Sequence, residues 1–162
     1  MGANLIGTTL AYFRNSGTFK NINFKYSWNK TKYPDYRPEV LGSTIPQQML
    51  KDYNGQSYWL SINMPKGWFS DSTNNWLCFS LGYSIDGFTG GKQNYFDPTL
   101  LNPPTFDRVG EFYLSLDIDF TKFNIKSKLL KNFLKVFNVI KIPCPAIGFT
   151  SNGKLLIKPF YF

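Results

Sequence analysis

Trp76-Leu77-Cys78-Phe79-Ser80-Leu81-Gly82-Tyr83-Ser84-Ile85 decides the fold class, because apolar and small or polar residues alternate along it. Successive side chains of an extended chain point to opposite faces, so strict period-2 alternation marks a strand with two unlike faces. Leu77, Phe79, Leu81, Tyr83 and Ile85 share one face, and Cys78, Ser80, Gly82 and Ser84 share the other. Three further segments repeat the pattern. Residues 21–28 set Ile22, Phe24, Tyr26 and Trp28 against Asn21, Asn23, Lys25 and Ser27. Residues 57–64 set Tyr58, Leu60, Ile62 and Met64 against Ser57, Trp59, Ser61 and Asn63. Residues 111–120 set Phe112, Leu114, Leu116, Ile118 and Phe120 against Glu111, Tyr113, Ser115, Asp117 and Asp119.

Turn chemistry separates these runs. Ser151-Asn152-Gly153 lies between residues 147–149 and 154–158 and predicts a tight hairpin. Asp86-Gly87 and Gly90-Gly91 read as bulge or turn signals, and a short strand is expected near residues 94–96. The Pro-rich stretches 32–38 and 97–105 read as loops, and residues 46–51 as a helical turn. The expected fold is mainly β: an antiparallel meander or barrel-like sheet of six to eight strands in a single domain over residues 14–162. Residues 1–13 read as the end of a helical segment, and Met1 as other than the native start.

One segment has helical period. Leu129, Leu130, Phe133, Leu134, Val136 and Phe137 fall on one arc, with Lys128, Lys131, Asn132, Lys135 and Asn138 opposite. Ser127 is placed to cap this amphipathic helix and Pro143 to stop it, giving a helical region of about 127–142. Residues 1–120 hold ten Lys/Arg and ten Asp/Glu, whereas residues 121–162 hold eight lysines and no acid. The entire net charge of +8 therefore lies in the last quarter. A basic amphipathic helix suits a membrane surface or anionic lipid, with Lys128, Lys131, Lys135, Phe133 and Phe137 as the candidate contacts; the equal alternative is an ordinary helix that packs its Leu/Phe face on the barrel with its lysines solvated. Lysine without arginine lacks the bidentate fork used to read bases, so nucleic acid is not expected.

The absence of histidine removes the usual general base and rules out a Ser-His-Asp arrangement. No cofactor or metal site is expected: Cys78 and Cys144 lack ligand spacing and read as free thiols. Asp35, Asp52, Asp71, Asp86 and Asp97 read as solvated loop residues without calcium-loop spacing. Asp117 and Asp119 share a strand face and could approach within about 7 Å. They read either as an acid–base pair or, preferably, as a polar solvated face with Tyr113. On the second reading, Asn at both positions would leave function largely intact, with only modest changes in stability. The aromatic stripes read in two ways, lining a soluble barrel interior or facing lipid on a membrane barrel whose polar residues point inward.

Several runs carry a resemblance: residues 36–42 (Tyr-Arg-Pro-Glu-Val-Leu-Gly), 50–61 with Lys51-Asp52-Tyr53-Asn54-Gly55-Gln56, 82–87, 112–119 and 140–143. On these the chain resembles the Bacteroidota predicted periplasmic lipoprotein family of unknown function, distantly YfiM-like. Ala3-Asn4-Leu5-Ile6-Gly7 resembles the end of a family motif whose acidic residue precedes it. The chain departs from the family in lacking the upstream helical half. The resemblance implies a bacterial cell-envelope location, outer membrane or periplasm, and supplies no catalytic role. The expected function is a non-enzymatic envelope protein, its β-domain in or against the outer membrane. The alternatives are a soluble periplasmic barrel for lipid or another apolar ligand, and an envelope enzyme with its active groups in a missing N-terminal half.

Overall fold

A computed structural model describes residues 21–64, 76–95 and 104–161. Among them β1 (Ile22–Trp28), β2 (Gln56–Asn63), β3 (Leu77–Asp86), β4 (Val109–Ile118), β5 (Cys144–Thr150) and β6 (Leu155–Tyr161) form one antiparallel sheet in chain order. Each alternating segment is thus a strand next to its sequence neighbour. The β5–β6 hairpin turns through Gly153, whose φ of 85° suits a residue without a Cβ. The expected N-terminal helix end lies outside the described residues.

Local departures have simple causes. Asn94 and Tyr95 form no strand. The Asn94 side chain instead accepts from Thr89 N and donates to Gly87 O and Phe106 O, joining the two arms of the β3–β4 connection. Residues 32–38 are not all loop: a 3-10 turn spans Tyr33–Asp35 and α1 (Pro38–Leu41) begins on Pro38, where the missing N–H costs nothing. Helix α2 spans Ile45–Lys51. Asp52 is buried rather than solvated, accepting from Thr31 Oγ1 at 2.5 Å and from Asn54 N and Nδ2. Asn54 in turn holds both N and O of Phe88, each at 2.7 Å. The run 51–56 therefore locks the β1–β2 connection to the β3–β4 connection.

The sheet is strongly curled. In register, Lys25 aligns with Trp59, Gly82 and Tyr113. Yet its Nζ meets Asp117, four residues further along β4, at 2.9 Å. Three strand spacings are about 14 Å and four residues along a strand are also about 14 Å. Contact between those side chains therefore requires the sheet to coil along its diagonal. Residues 139–141 support the same curvature. Tyr26 N donates to Val139 O and Lys141 N to Tyr26 O, a parallel bridge on the edge of β1. Only Ile142 and Pro143 separate Lys141 from the first residue of β5, three steps or about 11 Å of chain at most.

Glycine and large aromatics alternate on the inner face. Trp59 lies over Gly82, where a Cβ would be 2.5 Å from the ring, and Tyr113 lies equally close over Gly148. Gly82 is therefore an in-strand seat for an aromatic ring. Tyr161 of β6 packs on Tyr113 at 4.4 Å and on Trp59 at 5.8 Å between ring centroids, filling the interior from the far edge of the sheet. Pairing large with small residues lets side chains fill a tight concave space.

Helix α3 spans Lys128–Phe137, with Ser127 Oγ accepting from Leu130 N at 3.4 Å. It ends before the expected 142 because Val139–Lys141 bonds to β1 and Asn138 Oδ1 accepts from Phe120 N.

Candidate functional site: an apolar outer face around a buried ionic cluster

The two faces of the sheet have inverted polarity relative to a water-soluble fold. One register row runs Phe24, Leu60, Leu81, Leu114, Ile147 and Ile157 across all six strands. The next runs Tyr26, Tyr58, Tyr83, Phe112, Phe149 and Leu155. Both point outward: Phe24, Tyr58, Leu81, Tyr83, Phe112, Leu114, Ile147 and Phe149 are 44–60% exposed. Phe112 stacks on Phe149 at 5.5 Å and meets Tyr83 at 5.2 Å. Between the rows lies an apolar furrow of about 500 Å³ walled by Leu81, Phe112, Leu114, Ile147, Phe149 and Leu155. A contiguous apolar surface of this kind is rare on soluble monomers and marks a protein, ligand or membrane contact surface.

The polar rows are the buried ones. Asn23, Lys25, Ser27, Ser57, Ser61, Asn63, Ser80, Ser84, Ser115 and Asp117 are all buried. Lys25 and Asp117 have fully buried side chains. Lys25 Nζ also donates to Ile118 O at 2.6 Å, and Ser61 Oγ donates to Asp117 Oδ2 at 2.5 Å while bonding Ser80. A buried ion pair survives only when its desolvation is offset by close geometry and further hydrogen bonds, which this cluster provides.

The expectation of a solvated face at Tyr113, Asp117 and Asp119 is overturned. Their exposures are 3%, 0% and 1%. The alternation was read correctly, but the exposed side of the sheet is the other one. Asp119 Oδ2 accepts from Asn23 and Asn63, and Oδ1 from Thr121 N and Oγ1. Burial pushes the Asp119 carboxyl up, and the hydrogen bonds from Thr121, Asn63 and Asn23 outweigh it, leaving its pKa below the ordinary carboxylate value. Both oxygens of Asp119 are thus held by internal partners, whereas Asp117 is held through Oδ2 alone, its buried Oδ1 having no hydrogen-bond partner among the described residues; burial closes both carboxylates off from the surface. Tyr113 donates to Glu111 Oε2 at 2.9 Å.

Lys141 is the second correction. Counted by sequence with the basic surface, it is fully buried. Its Nζ donates to Leu116 O at 2.7 Å and Ile142 O at 2.9 Å, and lies 4.9 Å over the Trp59 ring. Burial lowers its pKa, partly opposed by the attraction of Asp117. Sequence reasoning missed Lys25, Trp59 and Lys141 as interior residues. The available signal was that Lys25 and Trp59 share the inward parity of the serines.

The candidate membrane-surface residues stay together on α3, and no residue of that helix is buried. Leu129 is 84% exposed and Val136 71%; the Phe133 and Phe137 rings meet in a tilted pair at 4.3 Å between centroids, and both residues remain exposed. Lys128, Lys131 and Lys135 are exposed too. The reading in which α3 packs its apolar arc on the sheet is therefore not what the fold adopts. No described helix is long and apolar enough to cross a membrane, which leaves crossing by strands untouched.

At the end of the sheet near the β5–β6 turn, a polar recess of about 280 Å³ is lined by residues including Tyr33, Asp86, Glu111 and Lys154. Tyr33 donates to Asp86 at 2.7 Å. Cys78 and Cys144 are free thiols. Among the described residues no group of three His, Cys, Asp or Glu side chains could hold a metal. Compared with family models, curated proteins and solved structures, the chain matches none.

Proposed function

We propose that this chain is a non-enzymatic cell-envelope protein whose β-domain sits in the outer membrane as a barrel-like sheet with its apolar face to lipid. The inversion of polarity carries the reading: outward rows of Leu, Ile, Phe and Tyr enclose an inner face of Ser, Asn, Lys and Asp. Lipid accepts an apolar exterior, and a closed interior can hold polar groups paired with one another. The ten-residue strands β3 and β4 have the length that a membrane-crossing strand tilted by about 45° requires. β1, β2, β5 and β6 are seven or eight residues long. Barrel closure belongs to this reading, because lipid requires every backbone group to be paired. Residues 139–141 already bond the edge of β1, and the outer edge of β6 has no strand partner among the described residues. The resemblance to the envelope family supports the location.

A soluble barrel with an apolar ligand inside would need the aromatic rows to line an interior, and their outward direction weighs against it. Detergent removal tests the proposal. The folded protein is expected to stay monodisperse only in micelles or bilayers; a folded monomer in detergent-free buffer would overturn it.

A further inference from the structure

We infer that α3 is a headgroup-plane anchor for anionic phospholipid, built so that one lysine bolts the helix to the sheet while the others meet the membrane surface. This rests on the membrane reading of the sheet, but it arises from separate residues. The helix is fixed at its C-terminal end. Asn138 Oδ1 accepts from Phe120 N at 3.0 Å, and residues 139–141 bond the edge of β1. Lys141 then passes inside, where its ammonium is held by Leu116 O and Ile142 O. This attachment leaves the apolar arc unpartnered, with Leu129, Phe133 and Val136 each more than half exposed.

Charge identifies what covers that arc. Lys122, Lys126, Lys128, Lys131 and Lys135 all belong to the β4–β5 connection, which contains no exposed acid. The described residues of the two connections at the opposite end, 29–55 and 87–95 with 104–108, mix lysine and arginine with Asp35, Glu39 and Asp107. A neutral apolar partner would satisfy the Leu/Phe arc and leave the lysines without a counterpart. An anionic bilayer satisfies both, since acyl chains receive the arc and phosphates lie at the level of the ammonium groups. The end of the sheet bearing α3 is therefore the end that faces an anionic phospholipid leaflet.

The test uses the full chain in vesicles, with a nitroxide at Leu129→Cys or, separately, at Leu81→Cys, in a Cys78→Ser/Cys144→Ser background. Vesicles are either phosphatidylcholine alone or phosphatidylcholine with a third phosphatidylglycerol, and accessibility to oxygen and to a water-soluble nickel chelate is compared. The Leu129 label is expected to enter lipid on the anionic vesicles and to remain aqueous on the neutral ones. Lys128→Gln/Lys131→Gln/Lys135→Gln should weaken surface binding on the order of a hundredfold and return the label to water. A Leu129 label that stays aqueous on both vesicles, while Leu81 is in lipid, overturns the inference and leaves the sheet reading intact. A label that enters lipid regardless of headgroup charge and lysine content overturns it as well. An aqueous Leu81 label with a lipid-responsive Leu129 label supports the helix and overturns the sheet reading.

Discussion

Lys25 of β1 and Asp117 of β4 meet at 2.9 Å with both side chains fully buried, although β2 and β3 lie between them in the sheet. The contact requires curvature and places ionic groups where a soluble sheet would have its apolar core. Removing one partner leaves the other charge buried and unpaired, at a cost of about 3–5 kcal/mol. Asp117→Ala should lower unfolding stability in micelles by that amount, and Lys25→Met/Asp117→Leu should recover most of it. A single substitution costing under about 1 kcal/mol would place the pair in water. Exchanging Asp117 and Asp119 together for Asn is accordingly expected to destabilise the fold severely, not modestly.

Asp119 gives the fold a pH dependence of known sign. Its carboxyl has a lower pKa folded than unfolded, so it contributes stability that is fully present above the ordinary carboxylate value. That contribution is lost as pH falls through the folded value. Urea titrations of the wild type and Asp119→Asn should show the wild type losing its advantage below about pH 4. Equal pH slopes for the two proteins would contradict the assignment.

The seat of Trp59 on Gly82 can be tested by coupling. A Cβ at position 82 would lie 2.5 Å from Trp59 Cζ3, so the ring must move. Gly82→Ala should cost about 1–3 kcal/mol. In a Trp59→Leu background the same change should cost much less, because the obstructing ring is gone. Additive effects would mean that the ring does not occupy the glycine face.

Leu114 separates lipid from water on the outer face. It is 52% exposed in the middle of an apolar row. Arginine at an exposed position facing water changes stability by no more than about 0.5 kcal/mol. Near the middle of a bilayer the same change costs about 2–4 kcal/mol. Unfolding of Leu114→Arg in lipid vesicles is expected to show the larger penalty.

The strands were legible because period 2 survives either orientation of the sheet. Ser80 and Leu81 alternate whether serine or leucine meets the solvent, so the pattern sets pairing and parity but not which face is inside. Packing settles the direction. Gly82 and Gly148 admit Trp59 and Tyr113 only on the inner face, and Lys25 finds its carboxylate only when the sheet curls that way. The position of Lys141 was hidden for a similar reason. A run of lysines reads as one basic surface, and only the bridge from residues 139–141 to Tyr26 turns one of them inward. The α3 periodicity was plain, whereas its lack of cover depends on where the chain leaves the helix.

The most direct test of the central claim is collisional accessibility across a single row of the sheet. Nitroxides are placed one at a time at Leu81, Leu114 and Ile147, which are neighbours in register, and at Asn152 in the β5–β6 turn. Measured in reconstituted vesicles, the three row positions should be open to oxygen dissolved in lipid and shielded from a water-soluble nickel chelate, with Asn152 the reverse. Row positions as accessible to the chelate as Asn152 would contradict a lipid-facing sheet.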